Sequence, residues 1–307
     1  MLKIIINRLL QGIVVIACLF TITFFLVRKL PGDALTSEKE LSAEAKKAYN
    51  EKYDFDKPVT TQYRIAIAKL FEGDLRESTK TGQPVSKIIA HSFPTSVVLG
   101  VTGMFVAICI GIPAGIISAL KKNSYIDYST MLIAMIGISV PTFVIGPLIA
   151  KFIGSNVPFL KVAGWGDPFD WVLPSITLGL GTGAYLARIT RAGMLDVLSQ
   201  DYIRTAQAKG VPQQMIITKH ALKGGLIPSI AYIGPAFAML ITGSFIVETI
   251  FQAPGMGQHF VNATKNRDPF LLQGIVLLFG TLIVVVNIAS DIALMFLNPR
   301  LRQEENA

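Results

Sequence analysis

The stretch DYIRTAQAKGVPQQMIITKHALKGG, residues 201–225, is polar and basic, and it lies between two apolar runs, 171–187 and 226–251. A helix needs about 20 apolar residues to cross the hydrocarbon core of a bilayer, and both runs approach that length. Residues 201–225, here called the elbow, are therefore predicted to connect two membrane spans. The pattern indicates two short helices, since Gly210 suits the position after a helix end and Pro212 suits the next helix start.

The first helix of the elbow is expected to begin at a Ser199 cap, with Asp201 in its first turn, where a carboxylate favours the helix dipole. One apolar face is predicted to consist of Tyr202, Ile203 and Ala206. Small residues keep this helix slim. A slim, basic elbow joined to two spans suits docking into a groove of another protein, and docking would then move the spans. The alternative is a solvated loop that only connects them.

The composition of the whole chain describes a membrane protein. Of 307 residues, 51% are hydrophobic and 16% are charged, and the mean hydropathy is +0.53. Soluble domains carry about a quarter charged residues. The net charge of +8 comes from basic residues in short loops beside apolar runs, without a nucleic-acid-binding module. Nucleic acid is therefore not an expected partner, and the lipid bilayer is.

Apolar runs divide the chain into membrane spans. The predicted fold is an all-α integral membrane protein with six transmembrane helices, near residues 9–27, 95–120, 131–153, 171–187, 226–251 and 270–297. A long segment, 31–93, separates the first two spans. Within it, LSAEAKKAYNEKY and TTQYRIAIAKLF have the residue spacing of short amphipathic helices.

Lysine and arginine predict the orientation, because they concentrate in the cytoplasmic loops of membrane proteins. Short segments on the outer side, 155–170 and 252–271, hold three of them. Twelve lie in the segments assigned to the inner side, which are residues 1–8, 121–129, 188–226 and 298–307. Both termini are therefore predicted to be cytoplasmic, and residues 31–93 extracytoplasmic.

Catalytic and metal-binding patterns are missing from the sequence. It has no Gly-x-x-x-x-Gly-Lys-Ser/Thr phosphate loop, so ATP hydrolysis by this chain is not expected. His91, His220 and His259 are scattered without the spacing of metal ligands. We therefore expect no catalytic residue, no metal and no cofactor.

Two acidic residues fall within predicted spans, where charge is costly and often functional. Glu248 is expected to line a polar interior or to pair with a neighbouring helix, and with Ser244 it is the candidate for a translocation path. Asp291 is expected to pair with Arg300 or with a helix partner. Small residues in GIPAG, 111–115, and GLGTGA, 179–184, predict helix backbones in close contact.

The elbow resembles the cytoplasmic loop of the membrane subunits of ABC importers, which typically reads Glu-Ala-Ala, three residues, then Gly. Arg204, Thr205 and Ala206 occupy the first three positions here and Gly210 the last, so the Glu and the first Ala are replaced. The form DYIRTAQAKG…HALKGGLIP is similar to the B-type membrane subunit of the oligopeptide/dipeptide/nickel permease family. Further stretches similar to that family are LPGD (30–33), DKPVTTQY (56–63), GDLRES (73–78), ETIFQAPGMGQ (248–258), RDPF (267–270) and NPRLR (298–302).

This resemblance implies the type I ABC importer permease fold, in the cell inner membrane, and import of di- or oligopeptides driven by ATP. The implied partners are a second homologous permease subunit, two ATPase subunits that hydrolyse the ATP, and an extracytoplasmic substrate-binding protein. Closure of the ATPases is expected to reach the spans through the elbow. The implied coupling residues are Tyr202, Arg204, Thr205, Ala206, Ala208, Lys209 and Gly210.

The expected organisation has four parts. They are an N-terminal transmembrane helix (1–30), an extracytoplasmic segment (31–93), a permease core (94–298) that includes the cytoplasmic coupling loop (188–225), and a cytoplasmic tail (299–307). Within the family, nickel or glutathione is the alternative substrate. Outside the family, the alternatives are an ion-coupled carrier, against which the sparse intramembrane charge argues, and a membrane-embedded enzyme, against which the missing catalytic cluster argues.

Overall fold

Long α-helices make up most of the computed structural model of the chain, which describes residues 2–29, 43–243 and 245–297. No β-strand element occurs within those ranges, and the prediction of an all-α protein is confirmed. The helices are α1 (Leu2–Lys29), α2 (Ala43–Tyr53), α3 (Val59–Phe71), α4 (Val85–Leu120), α5 (Tyr125–Ser139), α6 (Thr142–Ile149), α7 (Val172–Leu198), α8 (Asp201–Ala208), α9 (Gln213–Met215), α10 (Leu222–Gly225), α11 (Ile227–Thr242), α12 (Phe245–Ile250), α13 (Met256–Lys265) and α14 (Pro269–Leu297). Shorter turns are the π-helical Ala150–Gly154 and Ile216–Ala221 and the 3-10 turn Pro168–Trp171.

Some predictions fall outside the described residues. These are the LPGD and NPRLR motifs, the first part of the extracytoplasmic segment, the tail after residue 298, the Asp291–Arg300 pairing and the place of Ser244. The alternative partner for Asp291 is present, because Arg8 Nε of α1 lies 3.2 Å from Asp291 Oδ2 of α14. This pair joins the first and last helices of the chain.

All six predicted spans coincide with helices, but in the described ranges only four of them are single helices that are long and apolar enough to cross a membrane. By length and apolar composition alone, Ile6–Lys29, Val85–Leu120, Ile227–Ile250 and Pro269–Met295 are each able to cross a membrane. The pair α5 and α6, with its π-helical turn, is apolar enough only when taken together, as a broken span or a re-entrant loop, and it bends by 106° at Val140-Pro141. The bend follows from proline, which cannot donate the backbone hydrogen bond that would continue α5.

The predicted span 171–187 differs most from the structure. α7 begins at Val172 but continues for 27 residues to Leu198, eleven residues beyond the predicted end. The prediction ended at the first arginine, Arg188. The helix nevertheless continues, because Arg188 lies over a tyrosine ring and Arg191 is paired with a carboxylate. Much of α7 is buried by neighbouring helices, so it does not need an apolar surface all round.

α4 and α7 pack along much of their length, and small residues permit this approach. A Cβ atom on Gly179 of α7 would lie 2.7 Å from the Gly103 carbonyl oxygen of α4. A Cβ on Gly111 would lie 2.7 Å from the Leu186 Cβ, and one on Gly183 would lie 3.1 Å from the Ala107 carbonyl oxygen. GIPAG and GLGTGA therefore pack against each other, and their predicted close contact is confirmed.

The segment predicted to be extracytoplasmic, described from residue 43, folds onto one end of the helices. Its two predicted amphipathic helices are confirmed as α2 and α3. Tyr63 of α3 makes a 2.7 Å hydrogen bond with Thr21 of α1, and Phe55 stacks on Phe270 at the start of α14 with ring centroids 5.8 Å apart. The segment thus packs against the long helices α1 and α14.

A buried ion pair locks the opposite end of the bundle. Asp127 at the start of α5 is 1% exposed, and both of its oxygens accept hydrogen bonds from Arg191 of α7, at 2.6 and 2.7 Å. Ser118 near the end of α4 also donates to Asp127, at 2.5 Å, and the amide of Asn123 donates at 2.9 Å. One carboxylate therefore holds α4, α5 and α7 together, with its lone pairs satisfied.

Replacing Gly111 with Ala should destabilise the protein by about 1–3 kcal/mol, because the added methyl overpacks the α4–α7 contact. The matched control is Gly181→Ala, whose new Cβ would lie 3.7 Å from the Gly137 carbonyl oxygen, an ordinary contact. Thermal unfolding of the two variants in detergent compares them directly. Equal melting temperatures would contradict this description of the helix pair.

Replacing Asp127 with Asn should lower the stability by roughly 3–5 kcal/mol, since it leaves the Arg191 guanidinium without its counter-ion in a largely buried site. Glu51→Gln is the control, because Glu51 pairs only at the surface with Lys47, at 3.9 Å. The same unfolding assay should show a large drop for the first variant and little change for the second. A stability unchanged by Asp127→Asn would mean that this ion pair does not hold the helices.

Candidate functional site

The elbow starts with α8, and Gly210 determines where that helix ends. Gly210 has φ of +75°, in the left-handed region that glycine adopts without strain. Its amide donates to the Gln207 carbonyl at 2.9 Å, and the Val211 amide donates to the Ala206 carbonyl at 3.2 Å. These two bonds form a Schellman motif. The predicted helix stop at Gly210 is confirmed.

The second half of the elbow stays helical up to the next span. Pro212 is the N-cap of α9, so the predicted helix start at this proline is confirmed. The chain then runs through the π-helical turn Ile216–Ala221 and α10 into α11. A Cβ on Gly225 of α10 would lie 3.1 Å from the Met194 Cα of α7, so this glycine lets the elbow return close to the helix that it left.

One face of the elbow is buried against α4 and α7. Ile203 is fully buried and Ala206 is 9% exposed. They belong to an apolar cluster whose other buried members are Ala119, Met194, Ile216 and Ala221. Since this cluster contains residues of α4, of α7 and of both halves of the elbow, the elbow and the ends of those helices form one packed unit.

The other face of the elbow is open. Six of the seven predicted coupling residues are exposed, namely Tyr202, Arg204, Thr205, Ala208, Lys209 and Gly210. The seventh, Ala206, is on the buried face. Of the apolar face predicted for Tyr202, Ile203 and Ala206, the last two are buried and Tyr202 is 50% exposed. Ile203 and Ala206 are three residues apart and define the buried stripe, and Tyr202 lies at its edge, with its hydroxyl 3.5 Å from the His220 carbonyl oxygen in the second half of the elbow.

Ser199 does not cap α8 as predicted. It is the C-cap of α7, and its hydroxyl donates to the Asp196 carbonyl at 2.8 Å. Gln200 occupies the N-cap position of α8 without a side-chain cap. The prediction was wrong because α7 extends further than expected and takes Ser199 into its own last turn.

Glu248 is fully buried in α12. Its carboxylate accepts hydrogen bonds from the Ser96 hydroxyl of α4 and from the Gly257 amide, both at 2.8 Å. Ser96 in turn accepts a bond from the Met256 amide at 2.9 Å. The carboxylate therefore joins α12 to α4 and to the APGMGQ turn. A part for Glu248 in a translocation path stays a prediction.

An open groove of about 410 Å³ lies beside the elbow-bearing helix α7. Its walls come from the α5–α6 bend, from α7 and from α11. The polar side chains that line it are Thr142, Thr182, Tyr185 and Tyr232. Sequence reasoning did not find this groove. The threonines and tyrosines inside apolar runs were the available signal, but they are spread over about 90 residues of sequence.

Two motifs noted for their family resemblance, GDLRES and RDPF, lie in contact with each other where the segment before α4 meets the start of α14. The Arg76 guanidinium lies 4.4 Å from the Phe270 ring centroid and 2.7 Å from Asp54 Oδ2. Ser78 donates to Asp268 at 2.5 Å. Hydrogen bonding to Lys57, with a further contribution from Arg76, lowers the pKa of Asp54. Nothing in the sequence indicates that these distant motifs touch.

Histidines do not assemble a metal site in the described ranges, where no group of three or more His, Cys, Asp or Glu is placed to hold an ion. Two of the three histidines nevertheless lie near each other. Burial, together with the neighbouring His91, lowers the pKa of His259 in α13. His220 belongs to the elbow, where its carbonyl is 3.5 Å from the Tyr202 hydroxyl.

Comparison with known families covers nearly the whole chain. Residues 111–303 match the family described as Binding-protein-dependent transport system inner membrane component. Residues 1–100 match the family described as Binding-prot-dependent transport system membrane comp, N-term. The first match includes the elbow, the groove and Glu248, and the second includes α1, α2 and α3.

Individual relatives agree with the family models. The chain is 40% identical over 305 residues to the oligopeptide transport system permease protein OppB of Escherichia coli (strain K12), covering 98% of this chain and 100% of that protein. It is 35% identical over 283 residues to the dipeptide transport system permease protein DppB of Bacillus subtilis (strain 168), covering 92% of each.

A solved structure supports the same fold. A chain of the MetNI methionine ABC transporter, in an inward facing conformation, superposes with a TM-score of 0.59 at 17% identity, covering 69% of this chain and 96% of that one. This likeness shows the fold, and the sequence relatives show the family. The chain belongs to the inner membrane components of binding-protein-dependent transport systems and is a permease subunit of an ABC importer.

Proposed function

We propose that this permease subunit forms half of the translocation path for di- or oligopeptides. The observation that carries this proposal is the end-to-end similarity to OppB, which extends over 98% of the chain. The two relatives described above are named for oligopeptide and dipeptide transport. Their names favour a peptide over nickel or glutathione, which were the alternatives within the family.

The elbow is the surface on which we expect separate ATPase subunits to dock and to transmit their movement. Its exposed face carries Arg204, Lys209 and Gly210, while its opposite face is packed on α7. We propose that ATP is hydrolysed by two such partner subunits, and that a second permease and an extracytoplasmic substrate-binding protein complete the importer. The proposed coupling through Tyr202, Thr205 and Ala208 rests on their exposure, and Ala206 would act through its packing on the buried side of α8.

The ion-coupled carrier is disfavoured by the contacts of the two intramembrane acids. Asp291 is paired with Arg8, and Glu248 accepts hydrogen bonds from Ser96 and Gly257. Both carboxylates hold helices together in this arrangement. A carrier would need acidic groups brought together around a substrate ion.

Reconstitution of the complete importer in lipid vesicles tests the proposed function. With its partner subunits and the loaded binding protein, the complex should accumulate labelled di- or oligopeptides in an ATP-dependent way. The purified chain alone should show no ATP turnover, since it carries no phosphate loop. Robust ATP turnover by the isolated chain, or uptake of nickel or glutathione but not of peptides, would contradict the proposal.

Orientation of the chain is also part of the proposal, with both termini and the elbow in the cytoplasm and α2 and α3 outside. In a variant whose Cys18 and Cys109 are replaced by Ser, single cysteines at Glu72 and at Gln213 serve as probes, because both positions are exposed. A membrane-impermeant thiol reagent added to intact cells should label the first and not the second. The reverse pattern would invert the topology.

A further inference from the structure

The groove beside α7 combines four polar side chains with a break in a helix. It borders the 106° bend at Val140-Pro141, where the helical hydrogen bonding of α5 is interrupted. Irregular backbone at membrane depth is tolerated only where it is covered by protein or lines an aqueous cavity. A second concavity shares Gly137 and Val140 with this groove but is lined almost entirely by apolar side chains such as Ile133 and Leu148.

Aromatic rings form one end of the polar groove. The rings of Tyr185 on α7 and Tyr232 on α11 have centroids 4.6 Å apart, and both residues are only partly buried. Thr182 lies one helical turn from Tyr185 and also faces the groove. Paired rings with hydroxyl groups at their edges offer apolar faces to side chains and hydrogen bonds to peptide groups.

Arg188 completes this cluster with a positive charge. Its guanidinium carbon lies 5.0 Å from the Tyr185 ring centroid, as expected for residues three apart on one face of α7. The side chain is exposed. In the part of the chain that the structure describes, no carboxylate comes within ion-pair distance of it, whereas Arg191, one turn further along, is paired with Asp127.

The position of Arg188 along α7 makes its exposure informative. It precedes the end of α7 at Leu198 by ten residues, or about 15 Å at the helical rise per residue. An exposed cation on a helix of a membrane protein is expected to face water, protein or a ligand and not lipid. The ring beneath Arg188 orders the guanidinium, and a guanidinium binds carboxylates with two parallel hydrogen bonds.

We propose that Tyr185, Tyr232 and Arg188 form a binding station for the transported peptide, in which Arg188 binds its C-terminal carboxylate and the two rings contact the residues before it. This inference rests on the proposed function, because it requires a peptide as the transported molecule. It adds a recognition step within the permease itself, after the peptide has left the binding protein.

The test compares two labelled peptides of one sequence, one with a free C-terminal carboxylate and one amidated. Maximal uptake is measured in the reconstituted complete importer with saturating loaded binding protein, so that differences in the affinity of that protein have little weight. The wild type should transport the free acid faster. Arg188→Gln should reduce uptake of the acid about tenfold, as expected for a lost charged hydrogen bond, and leave uptake of the amide nearly unchanged.

Controls separate recognition from folding. Arg188→Lys keeps the charge and should retain part of the preference for the acid, and Arg64→Gln removes an exposed arginine from α3 and should retain all of it. An equal loss for both peptides in Arg188→Gln, or no loss for either, would overturn the station while leaving peptide import intact. If the wild-type complex transports neither peptide, the proposed function fails and the station fails with it.

Discussion

The contact between α4 and α7 determines how the rest of the molecule is arranged. Gly103 and Gly111 on one helix and Gly179 and Gly183 on the other bring the two backbones so close that a Cβ atom at any of these four positions would crowd the facing helix. In a membrane, where the hydrophobic effect does not drive helices together, such close packing is a principal source of their association. α7 is therefore held in a fixed position through the centre of the bundle.

Both candidate functional surfaces depend on that fixed helix. Its middle supplies Thr182 and Tyr185 to the groove, and its end supplies Met194 to the cluster beneath the elbow. Between them, Arg191 binds Asp127 and so attaches α5, whose other end also borders the groove. A displacement of the elbow would thus be passed to two walls of the groove through packed side chains and one buried ion pair, without any intervening flexible loop.

Local chemistry in the sequence predicted the parts of the fold that depend on neighbouring residues. The helix stop at Gly210, the start at Pro212, the amphipathic α2 and α3 and the close-packing glycines all follow from rules that act within a few residues. Predictions for α7 and α8 that depended on long-range partners were wrong or absent. The sequence predicted that α7 ends before Arg188. A local pattern does not show that Arg188 lies over the Tyr185 ring, or that Arg191 pairs with Asp127, which is 64 residues away. For the same reason, the wrong end of α7 misplaced the Ser199 cap.

The central claim is that the exposed face of the elbow transmits ATPase movement to the spans. Gly210 tests it most directly, because a Cβ there would meet nothing within 4 Å in the described part of the chain, and a second variant gauges the backbone strain at its positive φ. Ligand-stimulated ATPase activity of the reconstituted complex, normalised to folded permease, should fall strongly in Gly210→Trp. It should stay near the wild-type level in Gly210→Asn, which tolerates the left-handed backbone with a smaller side chain. Undiminished stimulation in a well-folded Gly210→Trp complex would contradict the claim.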